Sequence, residues 1–273
     1  MPRFTTPDDV EIHYKDWGAG PAVLLLHGWP LSADSWDDQA LAIAQSGFRV
    51  IAPDRRGFGR SSQPFSGYDY DTLADDVAAL IEHSGARHIT LVGFSMGGGE
   101  VARQVTRHRG EHVDKVALVA SVVPGMLMGP DNPGGVPQGV FDQMQREMED
   151  DRARFFGDFF KSFYGVGLLH KTVSDEVLQW SRAVAMQAGL KPTLACAQAF
   201  AGTDFGPDLP AFRVPTLIIH GTADKTVPID GSARRAARAI PNATLLEYEG
   251  APHGLLVTDK QRVAADLIAF LRR

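Results

Sequence analysis

One serine set between glycines, where an apolar run meets a helical stretch, constrains this chain more than any other feature. Ile89, Thr90, Leu91 and Val92 are apolar and partly β-branched, which predicts a buried strand. Gly93-Phe94-Ser95-Met96-Gly97 follows in the pattern G-x-S-x-G, then Gly98, Gly99 and a helical segment over 100–108. Glycines on either side of the serine allow a backbone turn too tight for a β-carbon. Such a turn lifts a hydroxyl to the end of a sheet, at a helix N-terminus whose N–H groups face it. Ser95 is therefore the candidate nucleophile.

The rest of the chain supplies a sheet for that turn. Val10 to Trp17 alternates apolar and polar residues, as a half-buried antiparallel strand does, and residues 3–6 can pair with it. Ala22–Leu26, Phe48–Ala52, Val113–Ala120, Val214–His220 and Thr244–Tyr248 read as further strands, the first as a continuous apolar run buried on both faces. Helices are expected at about 35–47, from a cap at Asp71 to Ser84 with Leu73, Val77, Leu80 and Ile81 on one face, at 232–240 and at 259–271. Strands alternating with helices imply a mostly parallel sheet covered on both sides. Between residues 125 and 213 the alternation stops: glycines and prolines crowd the start, then helical patterns run without a strand. The expected organisation is an α/β core made of residues 1–124 and 214–273, with a helical cap over 125–213 inserted after the sixth strand. In the cap Phe155, Phe156, Phe159, Phe160, Phe163 and Tyr164 recur at three- and four-residue spacings. Such a stripe is first a helix-to-helix core, with some members turned toward the site.

A serine hydroxyl needs a base, and the base needs an acid to fix its tautomer. Asp224 in Gly221-Thr222-Ala223-Asp224 and His253 in Ala251-Pro252-His253-Gly254 each follow a predicted strand. The order Ser95, Asp224, His253 is that expected for this elbow on an α/β sheet, whose strand ends gather at one edge. Asp204, Asp208 and Asp230 are rival acids, but none follows a buried strand through a glycine-rich turn. His27 and His220 end apolar strands and are expected to satisfy backbone groups; His83, His88, His108, His112 and His170 sit by polar helix ends or loops. The developing oxyanion needs two N–H donors. Met96, next after the nucleophile, and Trp29, after the strand 22–26, fit. Pro30 has no N–H and holds Trp29 toward an extended backbone, which turns the Trp29 carbonyl toward the site as an acceptor.

Composition narrows the function classes. A hydrophobic fraction of 44% with 22% charged residues matches an ordinary globular protein. The formal net charge of -6 argues against nucleic-acid or anionic-membrane partners. No stretch approaches the roughly 18 apolar residues of a membrane span, and the N-terminal residues lack a signal-peptide run. Cys196 is the single cysteine, so an intrachain disulfide or cysteine-rich metal site is not expected, and a cytoplasmic location is.

With His27-Gly28-Trp29-Pro30, Pro53-Asp54-Arg55-Arg56-Gly57-Phe58-Gly59, the 93–99 stretch, and the motifs around Asp224 and His253 in hand, the chain resembles the α/β-hydrolase fold. Within that fold it resembles the cofactor-free haloperoxidase and aryl esterase (perhydrolase) branch. The resemblance implies an eight-stranded sheet, no metal, no haem, and a homo-oligomer, a trimer or a dimer of trimers. It also implies that Asp54 and Arg56 brace a loop at the site's edge. Pro30, Val122, Met126, Met144, Phe159, Phe163, Thr226 and Ile229 are the expected pocket residues, Met126 and Met144 softening it.

The expected activity is serine-dependent cleavage of aryl or short-chain carboxylic esters, with hydrogen peroxide as a second acyl acceptor. Alternatives are a lactone, amide or C–C bond hydrolase on the same scaffold, and a small-molecule receptor with a vestigial triad. Dehalogenase and epoxide hydrolase chemistry is disfavoured, because those relatives carry aspartate where this chain has Ser95.

Overall fold

The structure is a computed structural model and describes residues 2–167 and 171–273. His170 lies outside the described residues. The alternating N-terminal stretch forms β2 (Glu11–Gly18), antiparallel to β1 (Arg3–Thr5) on one side and to β4 (Arg49–Pro53) on the other. Unlike the half-buried strand expected, β2 is covered on both faces over most of its length. His13 lies against Asp54, and Lys15 pairs with Asp34 and Asp37. Its polar residues thus meet carboxylates from loops laid over the sheet instead of water.

The apolar stretches form β3 (Ala22–Leu26), β5 (Ile89–Phe94), the later part of β6 (Val113–Val119) and β7 (Thr216–Gly221); β8 (Ala243–Tyr248) is the half-exposed edge strand. Every residue of β3, β5 and β7 is buried, as a strand sandwiched between helical layers requires. The eight strands run in the order β1-β2-β4-β3-β5-β6-β7-β8, parallel from β4 onward. Parallel strands put all their carboxyl ends at one edge, so the loops after β3, β4, β5, β7 and β8 meet there.

Helices α1 (Asp37–Gln45), α2 (Tyr70–Ser84) and α3 (Met96–Arg107) flank the sheet, α2 packing on α3. Leu73, Val77, Leu80 and Ile81 are buried on α2 as their spacing predicts. Its cap is Asp69, not Asp71: the Asp69 carboxylate accepts the Thr72 N–H at 3.0 Å. Asp71 sits within the first turn and pairs instead with Arg103 and Arg107 of α3. Between β6 and β7 come α4 (Gln138–Phe163), α5 (Asp175–Ala185) and α6 (Leu190–Gly202), α5 and α6 both packing on α4. α4 bends at Asp151 (φ -148, ψ 84), whose carboxylate restarts the helix by accepting the Arg154 N–H at 2.9 Å. A 3₁₀ turn at Gly206–Ala211 then packs on α3, so the chain is back against the core before residue 213. After β7 and β8 come α7 (Ala233–Ala239), the short α8 (Leu255–Thr258) and α9 (Lys260–Leu271), which packs on α1.

Candidate active site

Ser95 ends β5 with φ 54 and ψ -118, a left-handed conformation that a non-glycine residue adopts only where its surroundings enforce it. α3 begins at once with Met96, four residues earlier than the sequence suggested, so Gly97, Gly98 and Gly99 lie inside the helix. Packing explains those glycines. A β-carbon on Gly93 would stand 2.4 Å from the Gly97 carbonyl, one on Gly97 2.4 Å from the Leu26 carbonyl, and one on Gly98 2.0 Å from Ser121 Oγ. Gly93→Ala is accordingly expected to destabilise the fold by about 1–3 kcal/mol, read as a lower urea midpoint; an unchanged midpoint would contradict this packing.

The loops after β7 and β8 bring the other two residues to Ser95. His253 Nε2 accepts from Ser95 Oγ at 2.9 Å, and His253 Nδ1 donates to Asp224 Oδ2 at 2.6 Å, the tautomer following from these partners. The His253 ring is held between Phe94, centroids 5.3 Å apart, and Phe163, 4.9 Å apart. Asp224 Oδ1 accepts the N–H groups of Thr226 (2.9 Å) and Val227 (2.8 Å). Burial alone would raise the Asp224 pKa. The electrostatic pull of the adjacent His253 imidazole, with hydrogen bonds from His220 and His253, outweighs it and holds the carboxylate well below its ordinary value. Asp224 therefore stays ionised at neutral and mildly acidic pH.

Ser95 opens into a cavity of about 300 Å³ walled largely by Trp29, Val122, Met126, Met144, Phe155 and Phe159. The Trp29 indole donates to the Thr193 carbonyl at 3.1 Å, tying the loop after β3 to α6. Its Trp29–Pro30 peptide is cis. Among the described residues, neither the Met96 nor the Trp29 backbone N–H is bonded to a protein acceptor.

A family model described as alpha/beta hydrolase fold matches residues 21–260. The chain belongs to the α/β-hydrolase fold family. It is 42% identical to a non-heme chloroperoxidase of Kitasatospora aureofaciens and 43% identical to a bifunctional esterase/perhydrolase of Acinetobacter calcoaceticus, each over the full length of both chains. A bromoperoxidase structure from Bacillus anthracis superimposes with a TM-score of 0.95 at 39% identity, covering all of both chains. These relatives place the chain in the haloperoxidase branch of the α/β hydrolases.

Not every expected pocket residue of this α/β hydrolase reaches the cavity. Val122, Met126, Met144, Phe159 and Thr226 line it; Pro30, Phe163 and Ile229 do not. Phe163 is turned onto the His253 ring, and its carbonyl accepts the Gly254 N–H at 2.8 Å, so it steadies the histidine loop. Pro30 and Ile229 are buried outside the cavity lining. Conversely Phe155, Phe141, Phe200 and Lys225 line the cavity without having been expected to. Phe155 stood in the aromatic stripe, but spacing alone does not say which members of a stripe face a ligand. Phe156 and Phe160, from the same stripe, are wholly buried, Phe156 against Trp29 and Phe160 against Tyr164.

The rival groups have other partners. Asp204 accepts the Gly206 N–H at 2.8 Å, Asp208 pairs with Arg103, and Asp230 with Arg234. His220 Nε2 donates to the Val227 carbonyl at 2.8 Å and lies 3.2 Å from Asp224, so it buttresses the acid's loop. His88, His108 and His112 lie beside Asp114, Asp75 and Glu82 at the surface. His83 packs on Phe4 and Tyr14. Asp54 accepts the Ala33 and Arg60 N–H groups, and Arg56 binds Asp76 and Asp8, which knits the loop after β4.

Proposed function

We propose that this protein is a serine hydrolase that cleaves aryl or short-chain carboxylic esters through an acyl-enzyme on Ser95, and that hydrogen peroxide also accepts the acyl group. The observation that carries the reading is the unbroken chain Ser95 Oγ, His253, Asp224, at 2.9 and 2.6 Å, opening into an apolar cavity. His253 Nε2 takes the hydroxyl proton as Ser95 Oγ bonds to the ester carbonyl carbon, and Asp224 stabilises the imidazolium. The carbonyl oxygen becomes an oxyanion held by the Met96 and Trp29 N–H groups. The ester C–O bond then breaks and the leaving alkoxide takes the proton from His253. Water, deprotonated by His253, attacks the acyl carbon and releases the acid and Ser95. When hydrogen peroxide attacks instead, the released product is a peracid. A peracid in solution transfers an oxygen atom to bromide, giving the carboxylic acid and hypobromite.

Residues 125–213 act in this reading as a cap over the core of 1–124 and 214–273, since α4 and α6 supply much of the cavity wall. Among the described residues no helix is long and apolar enough to cross a membrane. A cytoplasmic location and a homo-oligomer, a trimer or dimer of trimers, belong to the same proposal; cell fractionation and sedimentation test them.

The activity is tested by a panel of p-nitrophenyl esters, lactones and anilides, each with and without peroxide. Aryl acetate turnover that a fluorophosphonate abolishes, with bromination of phenol red when acetate ester, peroxide and bromide are all present, is the expected result. Turnover confined to lactones or anilides would replace it with the alternative hydrolase, and no turnover with a receptor. Pro30→Leu is expected to lower the ratio of perhydrolysis to hydrolysis by freeing the Trp29 backbone, whose carbonyl is the acceptor for peroxide in this reading. An unchanged ratio removes Pro30 from it.

A further inference from the structure

Beneath the elbow helix lies a buried ion pair that the acyl-transfer steps do not use. Arg55, two residues past β4, and Glu100, one turn past Met96 on α3, have side chains 2% and 4% exposed and bond directly to each other. The same guanidinium donates through Nη2 to the His27 carbonyl at 2.5 Å. The Arg55 backbone N–H donates to His27 Nε2 at 3.0 Å, which puts the imidazole proton on Nδ1, from where it reaches the Gly28 carbonyl at 2.9 Å. His27 and Gly28 are the two residues that connect β3 to Trp29. One side chain thus grips, with one hand, the segment that presents the Trp29 N–H and, with the other, the helix that presents the Met96 N–H. Tyr70 adds a hydrogen bond at 3.2 Å to the Met96 carbonyl.

A buried ion pair is a poor way to gain stability, because desolvating two charges cancels much of their attraction, and apolar residues of similar volume serve as well or better. What the pair does supply is direction: a planar fork with fixed angles between three elements. We propose that Arg55 and Glu100 are positioning residues that set the separation of the two oxyanion donors, Met96 N–H and Trp29 N–H. The proposal rests on the Ser95 acyl-transfer reading.

The surroundings of Glu100 make its charge conditional. Burial pushes its carboxyl up to about 7 even with Arg55 pulling it down, and Asp76 of α2 pushes the same way. Tyr70 of α2 and Cys196 of α6 face the pair and are themselves pushed up by burial, so both are neutral there. His27 is held neutral, its pKa driven well below the ordinary value by burial and by Arg55. Glu100 is therefore the group of this cluster that responds to pH near neutrality.

The test compares Glu100→Ala, Glu100→Gln and the apolar double variant Arg55→Met/Glu100→Leu in the full chain, at equal concentrations of fluorophosphonate-titrated Ser95. Two ligands of one shape are used: a phenyl trifluoromethyl ketone, which adds to a serine hydroxyl to form an oxyanion, and the matching methyl ketone, which does not. Removing one oxyanion donor outright costs roughly 10²–10³ in kcat, and displacing one costs less. Glu100→Ala and the double variant are expected to lose about 10- to 100-fold in kcat with KM within about twofold, and to bind the trifluoromethyl ketone correspondingly more weakly. Methyl ketone affinity stays level, and Glu100→Gln, which keeps an acceptor for Arg55, recovers most of the loss. The double variant leaves no unpaired charge, so it keeps the test open where Glu100→Ala does not fold. Folded variants with parental kcat and trifluoromethyl ketone affinity would overturn the proposal, as would parallel losses for both ketones. Ser95→Ala is run alongside: turnover surviving there sinks the acyl-transfer reading itself, whereas an inactive Ser95→Ala beside a fully active double variant sinks only the role of the pair.

Discussion

Ser95→Ala is expected to lower kcat/KM for p-nitrophenyl acetate by roughly 10⁴- to 10⁶-fold while far-UV and near-UV circular dichroism stay unchanged. The reasoning is local. Ser95 Oγ is the hydroxyl that His253 Nε2 reaches, at 2.9 Å, and Ser162, which also lines the cavity, makes no hydrogen bond to that nitrogen among the described residues. Removing a hydroxyl from a buried position leaves the elbow backbone intact, because the turn is enforced by Gly93, Gly97 and Gly98 and not by the side chain. In the proposed mechanism nucleophile and base act as a unit, so Ser95→Ala/His253→Ala should be no slower than Ser95→Ala alone, and a multiplicative double loss would contradict a shared step.

Asp224→Asn is expected to cost about 10³- to 10⁴-fold, nearly as much, although it changes one atom. The Thr226 and Val227 N–H groups point at Oδ1 and can only donate, so they fix the asparagine with its carbonyl oxygen at that position. Its NH₂ then faces His253 Nδ1, where it too must donate. That forces the imidazole proton onto Nε2 and presents a donor to Ser95 where an acceptor is needed. Steady-state kinetics and the rate of fluorophosphonate labelling should fall together. A loss below about tenfold would mean that the carboxylate does not set the tautomer.

Much of this arrangement can be read from the chain because its signals are local. An apolar run such as Ala22–Leu26 has to be buried on both faces, and the Gly-x-Ser-x-Gly spacing has few backbone solutions at a strand-to-helix junction. Asp224 and His253 announce themselves by following strands that end at the same edge as β5. What stays hidden depends on contacts between distant segments. Alternation in β2 reads as solvent exposure, yet Asp34, Asp37 and Asp54 cover its polar face. Asp69 and Asp71 are both plausible caps, and only the partners of Asp71, on another helix, separate them. Phe155 and Phe156 are adjacent in sequence, but one lines the cavity and the other is core. Phe163 reads as a pocket residue and instead packs on the His253 imidazole. Arg55 and Glu100, forty-five residues apart, carry no sequence mark of being one buried pair.

Acyl transfer through Ser95 requires a covalent intermediate at that residue. Rapid acid quench of the enzyme with p-nitrophenyl pivalate, whose bulky acyl group slows deacylation, followed by peptide mass mapping, looks for it directly. The expected result is a nitrophenol burst stoichiometric with enzyme and the pivaloyl group on the peptide's Ser95; turnover with no acyl-protein, or with the acyl group on another residue, would contradict it.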